Sequence, residues 1–126
     1  GGAALVIDYG HPRSSPGDTL QAVRRHQPAP VFLRPGEADL TAHVDFQALV
    51  DAAAPAAATE IVTQGDFLRA LGIEIRADRL IRSAPNRADV IADACRRLIE
   101  PSGMGNLFKV VGMTHPGLSV PPGFPT

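Results

Sequence analysis

The chain has 126 residues, 44% of them hydrophobic and 20% charged, the balance of a soluble domain with one core. A formal net charge of -1 excludes a nucleic-acid binder that works by neutralising phosphates. A single cysteine, Cys95, excludes an internal disulfide framework and a cysteine zinc site, and fits a reducing, intracellular compartment.

The chain opens "GGAALVIDYGH". Ala3 to Ile7 is continuously apolar, which predicts a strand covered on both faces, as in a parallel sheet between helix layers. This run is too short to span a bilayer and has no charged flank of the signal-peptide kind, so no membrane partner is expected. It also arrives without a polar lead-in or helix cap, so the expectation is that further sheet-forming sequence precedes Gly1. A loop follows through His11-Pro12-Arg13-Ser14-Ser15-Pro16-Gly17-Asp18. Thr19 to His26 alternates only weakly and reads as strand or helix. Val31 to Leu33, between Pro30 and Pro35-Gly36, reads as a short strand, and the two together predict a hairpin.

From Phe46 the period changes. Phe46, Leu49, Val50 and Ala53 predict a helix from about Val44 to Ala54, stopped by Pro55. Glu60 to Thr63 reads as another strand. Thr63, three residues before Asp66, forms an acidic variant of the capping box ahead of Phe67, Leu68 and Leu71, and Gly72 supplies a left-handed stop. A second helix is expected from about Glu74 to Arg82. Asn86 is the expected cap of a third, which carries Ile91, Cys95, Leu98 and Ile99 on one face and ends before Pro101. Leu107 to Met113 is the final predicted strand, and the Pro/Gly-rich tail of residues 119–126 is expected to lie extended on the surface. Strands alternating with helices predict a layered α/β domain, with too few strands for a comfortable doubly wound sheet.

Two clusters carry polar chemistry. "DYGH" ends the first strand, and in open α/β sheets ligands bind outside the carboxyl ends of the strands. Asp8 and His11 are candidate acceptors, bases or clamps there, with Tyr9 as a stacking wall; otherwise Asp8 caps a turn and Tyr9 packs. "ADLTAHVDF" gathers Asp39, Thr41, His43 and Asp45 before a helix start, where free N–H groups favour negative charge. That cluster either lines a substrate pocket or contributes one acid as the helix cap. Its spacing matches no strong metal motif, so no metal is assigned, and a metal-dependent hydrolase around His11 and His43 has little support. Arg24-Arg25-His26 reads as a solvated face or a contact for an acidic partner. Cys95, on an apolar helix face, reads as a packed thiol. The chain contains no Gly-rich phosphate loop, no G-x-S-x-G elbow and no dinucleotide fingerprint.

Taken in order, "GGAALVIDYGH", "DTLQAVRRH", "PGEADLTAHVDFQALVDAA", "TQGDFLRALGI" and "MGNLFKVVGM" resemble the carboxyl-terminal half of the MidA-like proteins. These are S-adenosylmethionine-dependent methyltransferases of the seven-stranded, Rossmann-like class I fold, and their mitochondrial members include an assembly factor for respiratory complex I. The resemblance implies that residues 1–118 form the carboxyl-terminal part of such a sheet, an incomplete domain, followed by the tail of residues 119–126. Ala3 to Ile7 becomes the fifth strand, Glu60 to Thr63 the sixth, and Leu107 to Met113 an antiparallel seventh inserted between them. Thr19 to Arg34 becomes an inserted β-hairpin.

By the same resemblance, S-adenosylmethionine is held mainly by sequence before Gly1, so no cofactor-binding residue is assigned in this chain. What remains is the acceptor side, with Asp8, Tyr9, His11, Thr41, His43 and Asp45 as substrate-binding residues and the catalytic residues unassigned. The implied acceptor is arginine in a protein, with a respiratory complex I subunit as a candidate partner. The alternative is a binding or assembly module for such a subunit, without methyl transfer. The implied compartment is the bacterial cytoplasm, or the mitochondrial matrix in a eukaryote.

Overall fold

The computed structural model describes residues 1–125. The first half comprises β1 (Ala3–His11), β2 (Gln21–Arg24), β3 (Gln27–Ala29), β4 (Asp39–Thr41), β5 (Val44–Asp45) and α1 (Phe46–Ala52). The second half comprises β6 (Ala57–Ala58), β7 (Val62–Thr63), α2 (Gln64–Ala70), α3 (Ile73–Ser83), a 3-10 turn at Pro85–Arg87, α4 (Ala88–Ile99), α5 (Met104–Leu107) and β8 (Phe108–Thr114).

The main sheet has the order β5-β1-β8-β6, with β7 also paired to β8. β8 is antiparallel to β1 on one edge and to β6 and β7 on the other, while β5 joins β1 in parallel. This is the α/β arrangement expected from the family resemblance, the last strand lying between the first and the pair before α2.

β8 is central because it is apolar on both faces. Val110 and Val111 are both fully buried, and successive strand residues point to opposite sides. Val110 packs against Phe67 of α2 and Phe124, with Val62 and Leu68 at the margin. Phe124 lies in the tail expected to run along the surface. Its ring sits 5.1 Å from that of Phe67, because Gly123, at φ +94°, turns the chain inward. Val111 points to the opposite face, where α1 lies with its buried Phe46. Helices therefore cover both sides of β8.

The remaining expectations meet the structure unevenly. The final strand begins at Phe108, one residue late, because Met104–Leu107 forms a helical turn instead. The strand expected at Glu60 to Thr63 splits into β6 and β7. Four residue steps from Ala58 to Val62 face three from Met113 back to Val110 on β8, so one residue is extra. Thr59 fills the gap: its N–H donates to the Gly112 carbonyl at 2.9 Å, and its hydroxyl accepts the Gly112 N–H at 2.9 Å.

The hairpin forms, but between β2 and β3 rather than with Val31–Leu33, which turns instead. Arg25 (φ 51°) and His26 (φ 61°) make the two-residue loop, both left-handed as a type I′ turn requires. A third strand, β4, pairs with β2 and takes residues read from sequence as the approach to a helix. The helix itself starts at Phe46 rather than Val44, since Val44 and Asp45 pair with β1.

Thr63 caps α2 as expected: its hydroxyl accepts the Asp66 N–H at 3.1 Å and donates to the Asp66 carboxylate at 2.6 Å. Gly72 adopts the left-handed conformation, φ 80°. Asn86 does not cap α4; it lies inside the 3-10 turn that Pro85 initiates. Finally, β1 is not covered on both faces. Leu5 and Ile7 are 52% and 43% exposed. From Ala3 to Tyr9, the edge of β1 away from β8 has no ladder partner among the described residues.

Candidate functional site

The two clusters singled out in the sequence meet at the carboxyl end of β1. Gly10 pairs with Val44 and His11 with Asp45 in parallel register. Gly10 permits this approach: a Cβ there would collide with the Val44 carbonyl oxygen and come within 3.0 Å of the Phe46 ring. Thirty-odd residues of loop and small sheet thus bring "DYGH" against "AHVDF".

Strand alternation then sorts the candidates. Tyr9, His11, His43 and Asp45 fall on one face, joined by Phe108, the ladder partner of Tyr9 on β8. The Tyr9 ring takes the His43 ring edge-on at 5.7 Å and the Phe108 ring edge-on at 5.7 Å. Such perpendicular pairs hold aromatic groups in fixed orientation. The His11 Nδ1–H donates to the Arg13 carbonyl at 2.9 Å. Asp8 falls on the other face, opposite Lys109 in the β1–β8 ladder. One Asp8 oxygen accepts the Tyr9 N–H at 2.8 Å; the second is unbonded among the described residues. Thr41 stands apart, on β4 of the small sheet opposite Gln21. All six candidates are half-buried, neither sealed in the core nor fully exposed.

Asp45 is the cap of α1. One carboxylate oxygen accepts the Ala48 N–H at 3.0 Å and the other accepts the Ser14 hydroxyl at 2.6 Å. Those two donors, helped by the nearby His11, hold its carboxyl below the usual range despite slight desolvation. Ser14 was not singled out in the sequence, and no local signal marks it, since its partners lie 31 and 33 residues away. Phe108 was hidden for the same reason: only the register places it beside Tyr9. Burial lowers the Lys109 ammonium below its usual range, and it donates to the carbonyls of Asn106 and Leu107 at the end of α5. Burial raises the Cys95 thiol, with Glu74 adding to the effect, so it has the character of a packed thiol rather than a nucleophile.

Where glycines allow backbone to come close, this chain's own backbone fills the space: the Val44 carbonyl at Gly10 and the Ile99 carbonyl at both Gly65 and Gly105. The juncture gathers carboxylate, imidazole and aromatic groups.

Residues 1–64 match the family described as "Putative S-adenosyl-L-methionine-dependent methyltransferase". The chain belongs to this family. It is 39% identical over 111 residues to the mitochondrial protein arginine methyltransferase NDUFAF7 of Mus musculus, a match that takes in 86% of this chain and 25% of the relative. The mitochondrial NDUFAF7 homologue of Drosophila melanogaster is 35% identical over 122 residues, covering 94% of this chain and 28% of its own length. The chain thus spans little more than a quarter of these curated relatives.

Among solved structures, an uncharacterised protein of Burkholderia thailandensis superposes with a TM-score of 0.85 at 31% identity, over 97% of this chain and 35% of its own. A second Burkholderia thailandensis structure of the same superfamily, bound to S-adenosyl-homocysteine, superposes with a TM-score of 0.81 at 31% identity over 96% of this chain and 33% of its own. The family and the partial Rossmann-like fold implied by the sequence motifs both hold. Among the described residues, no helix is long and apolar enough to cross a membrane.

Proposed function

We propose that this segment is the acceptor side of an S-adenosylmethionine-dependent methyltransferase that modifies arginine in a protein. The observation that carries the reading is the juncture of β1 and β5, where Gly10 and His11 pair with Val44 and Asp45 in a member of a methyltransferase family. Transfer of a methyl group needs the acceptor atom held close and in line, and positioning supplies much of the rate. A guanidinium is a planar fork of donors that a carboxylate matches, and it stacks on aromatic faces. In this reading Tyr9 and His43 form the wall, with the His11 ring on the same face, and Asp8 offers its free oxygen from the opposite face of the sheet. Asp45 and Thr41 shape the approach from β5 and β4.

The cofactor belongs to sequence outside this segment. It would supply the electrophilic methyl group, and nothing in the chain's own chemistry replaces it. A subunit of a respiratory complex is the partner class suggested by the family's mitochondrial members. The matching compartments are the matrix in a eukaryote and the cytoplasm in a bacterium.

The test is transfer of labelled methyl from S-adenosylmethionine to protein arginine by the full-length gene product. Asp8→Ala is expected to lower transfer roughly ten- to hundredfold, the worth of a hydrogen bond to a charged group. Undiminished transfer in both Asp8→Ala and Tyr9→Ala would sink the assignment. Wild-type protein that binds its partner without any transfer would favour an assembly role instead.

A further inference from the structure

The loop between β1 and β2 does not hang free. Ser14 fastens it to the start of α1 at two points: the hydroxyl donates to Asp45 at 2.6 Å, and the main-chain N–H donates to the Gln47 side-chain oxygen at 3.1 Å. Asp45 is held in turn by the Ala48 N–H at 3.0 Å. Three residues before Ser14, the His11 ring is tied to the Arg13 carbonyl at 2.9 Å. A chain of contacts therefore runs from the helix cap through Ser14 and Arg13 to the imidazole at the end of β1. A second tie, from the His43 N–H to the Thr19 hydroxyl at 3.2 Å, holds the far end of the same loop against β5's approach.

We infer that Ser14 is a positioning residue of the acceptor site: it latches the His11–Asp18 loop onto α1 and so sets where the His11 ring stands relative to Tyr9 and His43. The inference rests on the acceptor-side reading above, because only in that reading does the ring's place affect a reaction. The hydroxyl is needed for the bond to Asp45, whereas the bond to Gln47 uses the main chain and survives any side chain. Removal of the hydroxyl should therefore loosen the loop without releasing it, leaving β1, β5 and the core intact.

Two measurements test this. Arg13–Ser14 is a trypsin-sensitive bond inside the latched loop, and its cleavage requires the loop to open. In the 126-residue chain, Ser14→Ala is expected to speed that cleavage roughly three- to tenfold, the range of one hydrogen bond. Ser14→Thr, which keeps the hydroxyl, should restore the slow rate. In the full-length gene product, with a peptide bearing one arginine flanked by glycines as acceptor, Ser14→Ala should raise KM for the peptide by a similar factor. Its kcat and the affinity for S-adenosylmethionine should hold, and Ser14→Thr should again rescue.

Equal cleavage of wild type and Ser14→Ala would overturn the latch. Faster cleavage with an unchanged KM would overturn the positioning role while keeping the latch. Wild-type protein that transfers no methyl group to arginine defeats the functional reading and the positioning role together, with the cleavage rates still deciding the latch.

Discussion

β1 and β8 are neighbours with the same kind of sequence and opposite fates. Both are rich in Val, Ile and Leu or Val and Met, and seven residue pairs join them from Ala3–Thr114 to Tyr9–Phe108. Yet Val110 and Val111 of β8 are wholly buried, while Leu5 and Ile7 of β1 are about half exposed. Composition does not separate them; position does. β8 has strands on both edges and cover on both faces, from α1 on one side and from α2 and Phe124 on the other. β1 has one full neighbour and meets β5 only at Gly10 and His11. An apolar strand with an open edge is a pairing surface, and its carboxyl end, where β5 closes it, is where the polar candidates gather.

The sharpest way to break this contrast is to truncate the core on one side and the exposed face on the other. Phe46→Ala removes a ring with no solvent exposure and should cost about 3–5 kcal/mol, enough to abolish a cooperative urea transition in a small domain. Ile7→Ala, on the open face of β1, should cost less than about 1 kcal/mol. Equal shifts of the urea midpoint for the two would mean that β1 is as buried in solution as β8.

A smaller effect probes the juncture itself. Gly10→Ala places a methyl group against the Val44 carbonyl and the Phe46 ring, so β5 must move away from β1. The overpacking should cost about 1–3 kcal/mol, and hydrogen exchange at Val44 and Asp45 should quicken more than at Val110. Unchanged protection at β5 would contradict the close approach.

The smallest effect is electrostatic. Asp45 has its folded-state pKa lowered from 3.8, chiefly by the Ala48 N–H and the Ser14 hydroxyl. A carboxyl depressed by folding stabilises the native state above its unfolded pKa, and that contribution fades as the pH falls through the lower folded value. Asp45→Ala should therefore melt below wild type at pH 7, with the difference shrinking below roughly pH 4. A difference that stays constant down to pH 2 would remove the charge from the account of this cap.

Much of the fold was legible because its signals are local. The apolar run of β1, the Thr63–Asp66 cap, the left-handed Gly72 and the end of α4 before Pro101 all depend on residues within a few positions of one another. Errors arose where a distant neighbour overrode a local preference. Val44 and Asp45 fit the start of a helix, but β1 recruits them as a strand. Val31 to Leu33 fits a strand, but the left-handed pair Arg25–His26 turns the chain so early that Gln27–Ala29 takes the partner's place. A tail of prolines and glycines gives no sign that Phe124 will be swallowed by the face of β8.

The candidate site divides in the same way. Asp8, Tyr9 and His11 could be nominated because a polar cluster at the end of an apolar strand is visible in a short stretch of sequence, and the ordered motifs identified the family. That Tyr9, His11, His43 and Asp45 share one face while Asp8 faces the other follows from the register of β1 against β5 and β8. The sequence alone thus determined the elements whose signals are local, such as the β1 run, the Thr63 cap and the end of α4, and the family to which they belong, since helix periods, caps and motif order are short-range properties. The tertiary structure alone decided which side chains meet, because one step of strand register or one inserted residue moves a side chain to the opposite face of the sheet.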